Sequence, residues 1–171
     1  MDASTDSARA EMLAVLPRLR RFARALTRNA TDADDLVQDT IERALKNLHR
    51  WTPGTRMDSW MYKIAQNLWL DTLRSRRVRS RDTNEDAGNL SIDGVRAADS
   101  SLLLSRTREA LTELPTEQRV VVALVLIEGL SYREAAAILD VPLGTVTSRL
   151  ARARDALAVR VLGEDAMGAL S

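Results

Sequence analysis

The sequence contains no cysteine, which excludes disulfide bonds, thiol nucleophiles and thiolate metal sites. It has one histidine, His49, and no glycine-rich phosphate-binding motif, so the residue patterns of common catalytic sites are missing. Aromatic residues make up 4% of the chain, and the hydrophobic residues are mostly alanine, leucine and valine, which suit helix-on-helix packing. We therefore expect no enzyme activity, no metal site and no cofactor.

Long hydrophobic segments are also missing. The longest apolar run, Val120 to Ile127, has eight residues, whereas a membrane-spanning helix needs about 20. The first residues, 1–6, are acidic and lack the apolar stretch of a secretory signal, which predicts a cytoplasmic protein. The formal net charge is +1, so a nucleic-acid partner has to be recognised from local charge.

Apolar residues recur every three or four positions through most of the chain, which is typical of amphipathic helices. No segment shows the alternation of a strand. The pattern predicts seven helices, which span approximately residues 8–28, 31–48, 58–77, 102–114, 116–128, 131–139 and 143–161.

Residues 80–101 differ from the rest, since they contain two glycines, many small polar residues and five acids against two arginines. This composition is typical of a flexible, mildly acidic linker. The predicted fold is therefore all-α, with two small helical domains, residues 8–79 and 102–162, joined by that linker.

The last two helices have the layout of a helix-turn-helix. Ser131 and Glu134 form a capping-box pattern at the start of the first. In the second helix, the apolar face leaves small polar and basic residues outward, and Gly144 costs about 1 kcal/mol of helix stability, which makes sense if a side chain there would hold the helix away from DNA. The alternative is an ordinary helical hairpin with a solvated arginine face.

The segment LPTEQRVVVALVLIEGLSYREAAAILDVPLGTVTSRLARAR closely resembles the C-terminal domain of sigma factors of the extracytoplasmic function (ECF) class, within the sigma-70 family. That resemblance implies that this domain reads the −35 promoter element. The implied DNA-binding residues are Arg133, Thr145, Ser148, Arg149 and Arg152. Thr147 stands where relatives frequently carry a lysine, so a phosphate contact is in doubt at that position.

The second predicted helix carries a cluster of acids in DADDLVQDTIERAL. Carboxylates in the first turn of a helix are stabilised by its dipole, by about 0.3–1 kcal/mol each, and this explains the acids up to Asp35. It does not explain Asp39 and Glu42, which lie beyond the first turn. The segment resembles the part of sigma factors that grips the coiled coil of the polymerase clamp, which implies Asp35, Gln38 and Asp39 as core-polymerase contacts.

The third predicted helix, MDSWMYKIAQNLWLDTLRSRR, has large apolar residues on two opposite sides. Either it is sandwiched between two neighbours, or some of its aromatic residues stack on bases. Five arginines follow within residues 74–81, as either a solvated helix end or a phosphate track. The segment resembles the family's −10 element reader, with the loop 51–56 near the captured base. The implied DNA-binding residues are Lys63, Asn67, Arg74, Arg76 and Arg77.

The resemblance implies a transcription initiation factor whose partners are core RNA polymerase, promoter DNA and an anti-sigma factor, and whose regulation is stress-responsive. The loop Pro53-Gly54-Thr55 and the short linker also resemble the general-stress subgroup of alphaproteobacteria. Two alternatives remain open from the residues. A stand-alone helix-turn-helix regulator would bind duplex DNA without polymerase, and a sigma-like decoy would bind an anti-sigma factor but not support transcription.

Overall fold

In a computed structural model of the chain, residues 3–83 and 100–162 are described, with side chains from 5–81 and 104–161. These ranges contain helices and no strand, which confirms the predicted all-α fold. The long helices are α1 (Ala3–Leu26), α2 (Ala30–Lys46), α3 (Met57–Thr83), α4 (Ser100–Glu113), α5 (Thr116–Val122), α6 (Tyr132–Leu139) and α7 (Leu143–Leu162). A short 3₁₀ turn, Leu48–Arg50, follows α2, and a π-helical turn, Ala123–Ile127, continues α5.

The described residues form two compact units, one of residues 3–24 and 28–83, the other of residues 25–27 and 100–162. We refer to them as the N-terminal and C-terminal domains. The predicted linker lies mostly outside the described residues. Its outermost residues were predicted wrongly, since 80–83 continue α3 and 100–101 begin α4.

In the N-terminal domain, α3 packs on both of its neighbours. The Tyr62 ring of α3 lies 4.8 Å from the Phe22 ring of α1 between centroids, and both side chains are fully buried. On its other side, α3 packs against α2, and Trp69 is buried with 4% of its surface exposed. The sandwiched arrangement is therefore the correct alternative for this helix, and Tyr62 and Trp69 are core residues rather than stacking platforms.

The start of α2 differs by one residue from the prediction. The N-cap is Asn29, whose side-chain oxygen accepts a hydrogen bond from the Asp32 backbone N–H at 2.7 Å. In the sequence, the Thr31 hydroxyl is followed three residues later by the Asp34 carboxylate, which predicts a helix start at Thr31, but asparagine is at least as strong an N-cap. The helix consequently begins at Ala30.

In the C-terminal domain, α7 packs against α4, α5 and α6, and it buries Val146, Leu150 and Ala153 as its spacing predicts. The capping box of Ser131 and Glu134 is present in both directions. Gly129 has a φ of +70°, which ends the preceding helical segment as predicted, because glycine adopts this conformation without steric cost.

A buried arginine that the sequence patterns did not single out fixes the corner between α4 and α5. The Arg119 guanidinium donates to the carbonyl oxygens of Leu111, Thr112 and Leu114, at 2.6–3.0 Å. The carbonyls at the end of a helix have no partner within the helix, so this one side chain satisfies several of them.

Asp58 is the main buried carboxylate of the N-terminal domain. It accepts ion-pair contacts from Arg18 at 2.6 Å and from Arg56 at 2.7 Å. Burial raises the pKa of the Asp58 carboxyl, but hydrogen bonds from Arg56 and from the Ser59 backbone N–H outweigh it, so the pKa lies below its usual value.

We predict that Asp58→Asn lowers the free energy of unfolding of the N-terminal domain by about 1–3 kcal/mol at neutral pH, because two arginines lose their charged acceptor. The matched control is Asp71→Asn, since the Asp71–Arg74 pair is exposed and should contribute less than about 1 kcal/mol. Denaturant unfolding followed by circular dichroism measures both.

The pH dependence follows from the sign of the pKa shift. The folded-state pKa of Asp58 is below that of the unfolded chain. The contribution of its carboxylate charge to the free energy of unfolding is therefore full above about pH 4, and it is lost as the pH falls through the folded-state pKa. The difference between wild type and Asp58→Asn should therefore shrink in acid. A difference that stays constant down to about pH 2 would contradict a stabilisation through the carboxylate charge.

Candidate nucleic-acid and protein interfaces

One side of α2 presents an exposed acidic face, which consists of Asp35, Gln38, Asp39 and Glu42. The opposite side of the helix is buried through Leu36, Val37 and Ala44, so the core packing forces these polar side chains into solvent. The Gln38 amide donates to Glu42 at 3.4 Å, a contact within the face. The acidic face therefore lies where the sequence predicts it, and it is chemically suited to a basic partner surface.

Asp32, which belongs to the same acidic segment, has a different environment. Its carboxylate accepts two hydrogen bonds from the Arg76 guanidinium, at 2.6 and 2.9 Å, and its side chain is 13% exposed. The hydrogen bond from Arg76 lowers the pKa of Asp32, and the same contact raises the pKa of Arg76. The Arg76 guanidinium also lies 5.6 Å from the centre of the Trp69 ring.

This geometry bears on Arg76, one of the predicted DNA contacts. Arg76 is half-buried, and both terminal nitrogens of its guanidinium already bind Asp32. A phosphate would have to break a bidentate charged pair, which is one of the stronger hydrogen-bonding arrangements in proteins. Arg76 is therefore engaged in a contact within the domain in this structure, and its contact with DNA stays a prediction.

Four cationic residues and one asparagine of α3 form what we call the basic stripe. Its members are spaced by whole helical turns along one face, and all are exposed: Lys63, Asn67, Arg74, Arg77 and Arg81. Arg74 contacts Asp71 at 2.8 Å, but an exposed pair of this kind is worth about 0–1 kcal/mol and does not prevent a phosphate contact. Arg81, which the sequence reasoning left out of the site, continues the same spacing and could have been found from it.

In the C-terminal domain, α7 exposes Ser148 and Arg152, and α6 exposes Arg133, as predicted for a groove-reading surface. Thr145 is half-buried. The Thr147 hydroxyl donates to the Leu143 carbonyl at 3.1 Å, and the Ser148 hydroxyl donates to the Thr145 carbonyl at the same distance. Both hydroxyl oxygens keep their acceptor capacity toward a ligand.

Arg149 is oriented differently from the outward direction expected of it. Its guanidinium contacts the Glu117 carboxylate of α5 at 2.9 Å, and its side chain is 22% exposed. It therefore adds an ion pair between α7 and α5, while Arg152, one turn along, is exposed. Because the Glu117 side chain is 68% exposed, a pair of this kind is worth about 0–1 kcal/mol, and the direct DNA contact of Arg149 stays a prediction.

Gly144 has open space around it. A Cβ atom added at this position would meet no atom within 4 Å, so the packing of the domain itself does not require a glycine. The interpretation that approach to DNA requires the glycine stays a prediction.

No group of three or more histidine, cysteine, aspartate or glutamate side chains within 5–81 and 104–161 is arranged to hold a metal ion. No helix in the described part of the chain is long and apolar enough to cross a membrane.

Comparisons with known proteins define the class to which this fold and these surfaces belong. Residues 12–66 match the family described as the Sigma2 domain of PhyR, and residues 104–157 match sigma-70 region 4. The class is therefore that of two-domain sigma factors.

Proteins with similar sequences identify the family within this class. The chain is 39% identical over 153 residues to the ECF RNA polymerase sigma factor EcfG of Rhodopseudomonas palustris (strain TIE-1), covering 90% of this chain and 84% of that protein. It is 34% identical over 140 residues to the ECF sigma factor SigW of Bacillus subtilis (strain 168), covering 75% of each. The chain belongs to the family of ECF RNA polymerase sigma factors.

Solved structures agree with the sequence comparison. The sigma factor RpoE of Bartonella quintana, crystallised in complex with the anti-sigma factor NepR, matches with a TM-score of 0.80 and 31% identity over 91% of this chain and 97% of that one. CnrH, in complex with the cytosolic domain of CnrY, matches with a TM-score of 0.66 and 28% identity, covering 94% and 96% of the two chains.

We predict that Gly144→Ala stabilises the C-terminal domain by up to about 1 kcal/mol while it weakens binding to promoter DNA. The added methyl group improves helix propensity, and it also protrudes from the helix end that would approach the groove. Thermal unfolding and binding to a labelled promoter fragment measure the two effects.

The control is Gly129→Ala, which should destabilise the domain by roughly 1–2 kcal/mol because of its positive φ. Its effect on DNA binding should not exceed what the lost stability explains. Unchanged DNA affinity in Gly144→Ala would remove the start of α7 from the DNA interface.

Proposed function

We propose that this chain is a transcription initiation factor that binds core RNA polymerase and directs it to specific promoters, and that it carries out no bond chemistry of its own. The observation that carries the proposal is the separation of charge over exposed surfaces. Helix α2 presents carboxylates to solvent, and α3, α6 and α7 present cations. Such a chain can bind a basic protein surface and a polyanion without either partner competing for the same residues.

The acidic face of α2 is the proposed polymerase-docking surface, through Asp35, Gln38 and Asp39. These side chains are exposed on a helix whose other side is anchored in the domain core, so they are fixed in direction without help from a partner. A preorganised surface of this kind loses less conformational entropy on binding.

The basic stripe of α3 is the proposed contact for the −10 region, with Lys63 and Asn67 nearer the start of the helix and Arg74 and Arg77 further along. Cations and amides can hold the backbone and base edges of an unwound strand. The buried positions of Tyr62 and Trp69 leave electrostatic and hydrogen-bonding contacts as the main source of affinity. Strand opening is favoured if unpaired bases bind here and paired bases do not.

The −35 element is assigned to Arg133 of α6 and to Thr145, Ser148 and Arg152 of α7. Short side chains near the start of α7 allow the backbone to approach the groove, while Arg152 is long enough to reach a phosphate or a guanine edge. Arg149 contributes to this site through its contact with Glu117, which fixes the direction of α7.

An anti-sigma factor is the proposed regulator of this chain in the cytoplasm. The support is that a structural neighbour at 31% identity was crystallised with such a factor. Binding of a regulator to the charged surfaces would exclude polymerase and promoter DNA until a stress signal releases it.

Transcription in vitro with purified core polymerase and a pool of promoter fragments tests the proposal. We expect promoter-specific transcripts that require this chain. Tight binding to duplex DNA without polymerase would favour a stand-alone helix-turn-helix regulator, and binding to an anti-sigma factor without any transcription would favour a decoy.

We predict that Asp39→Arg weakens binding to core polymerase by about tenfold or more, equivalent to roughly 1.4 kcal/mol, because it places a cation on a surface selected for anionic character. Asp39 is exposed, so the fold should be unaffected. Fluorescence titration of labelled chain with core enzyme measures the affinity. Asp71→Arg is the matched control, an exposed carboxylate reversed elsewhere on the same domain, and an equal loss in both variants would refute the docking site.

We predict that Arg152→Ala reduces the slope of log affinity against log salt for a promoter fragment by about 0.9, the contribution of one phosphate contact. Arg149→Ala should change this slope less, because its guanidinium is paired with Glu117, and should mainly lower thermal stability. Holoenzyme binding measured at several salt concentrations gives the slopes. Equal slope changes in the two variants would restore Arg149 as a direct phosphate contact.

A further inference from the structure

The C-terminal part of α3 extends well beyond the core of its domain. Trp69 is the last buried side chain of the helix among those described, and every described side chain from 70 to 81 is half-buried or exposed. A helical segment of this length is marginally stable in water by itself, since isolated helices shorter than about 12–15 residues rarely persist. The segment continues a longer helix, but contacts outside the hydrophobic core contribute to holding its last turns in one direction.

The contact that holds it joins Arg76 to the first turn of α2. Both terminal nitrogens of Arg76 bind the two oxygens of Asp32, in the bidentate geometry of a strong charged pair. Asp32 is itself fixed, because Asn29 donates to its carboxylate at 3.2 Å and accepts from its backbone N–H at 2.7 Å. The Trp69 ring beneath the guanidinium adds a cation–π contact on the α3 side.

We propose that Asp32 and Arg76 are a positioning pair that fixes the last turns of α3 on α2 and thereby sets the direction of Arg77 and Arg81 in the basic stripe. Asp32 lies one turn before Asp35 of the acidic face, so the same pair ties the DNA-facing surface to the polymerase-facing helix. The inference rests on the proposed DNA contact of the stripe, and neither member of the pair touches DNA itself.

The proposal and simple electrostatics predict opposite changes in the affinity for promoter DNA when Asp32 loses its charge. Asp32→Asn removes a negative charge, so charge alone predicts stronger binding to DNA. If the carboxylate positions Arg77 and Arg81, the same substitution weakens promoter binding, because two cations that are still present lose their fixed geometry. Asp34→Asn is the matched control, since Asp34 is exposed in the same turn of α2.

Hydrogen exchange of the full chain tests the positioning without DNA. We expect Asp32→Asn to lower the protection of the amides of residues 77–83 by about tenfold or more, while amides near the buried Tyr62 keep theirs and Asp34→Asn changes neither. Arg76→Gln should give the same local loss, and the double variant should lose no more than either single one, because both act through one contact.

Holoenzyme binding to a promoter fragment at several salt concentrations tests the functional consequence. Asp32→Asn should reduce the salt slope by about two units, one for each displaced arginine, at unchanged affinity for core polymerase. Unchanged protection of residues 77–83 or stronger promoter binding in Asp32→Asn would overturn the inference, as would additive losses in the double variant.

A further variant separates failure of the inference from failure of the proposed function. Arg77→Gln tests the DNA contact directly and should lower the salt slope by about one unit. If Arg77→Gln leaves the salt slope unchanged, the proposed DNA contact of the basic stripe is wrong, and the hydrogen-exchange measurement still tests the positioning role of Asp32 and Arg76. If Arg77→Gln lowers the slope and Asp32→Asn does not, the positioning role fails while the DNA role stands.

Discussion

The packing of α3 between α1 and α2 is the contact on which the N-terminal domain depends. Tyr62 on one side and Trp69 on the other are buried, so α3 cannot rotate about its axis without exposing one of these aromatic side chains. Because two sides of α3 are fixed by packing, the face that remains exposed is fixed as well. That face carries the lysine, asparagine and arginines of the basic stripe. The same packing buries one side of α2, which turns its carboxylates outward. Burial of apolar surface thus sorts the charged residues into two separate surfaces.

Much of this arrangement could be predicted from the sequence, because it follows from local periodicity. The exposure of Asp35, Gln38 and Asp39 follows from the spacing of Leu36 and Val37 on the other side of the helix. The capping box at Ser131 and the helix end at Gly129 are likewise local signals, and the structure contains both. Membership of the ECF family was also accessible, since its two characteristic segments occur in order along the chain.

The direction of individual long side chains could not be predicted in the same way. The sequence predicts Arg76 and Arg149 as DNA contacts, and it gives no sign that each is paired with a carboxylate on another helix. The partners of Arg76 and Arg149 are far away in sequence, so no spacing rule connects them. The length of α3 was underestimated because its last turns lack buried apolar residues, and the hydrophobic pattern therefore ends before the helix does.

The buried Arg119 at the corner of α4 and α5 has a consequence for how the two domains respond to acid. A guanidinium keeps its proton at any physiological pH, and its acceptors here are backbone carbonyls that do not titrate. The hydrogen bonds that fix this corner therefore do not change as the pH falls. The N-terminal domain instead relies on Asp32 and Asp58, whose carboxylates must stay ionised to keep their arginine partners. Because the pKa values of both carboxyls lie below their usual range, these arginine contacts persist in mild acid and are lost only below about pH 4, whereas this corner of the other domain keeps its geometry there as well.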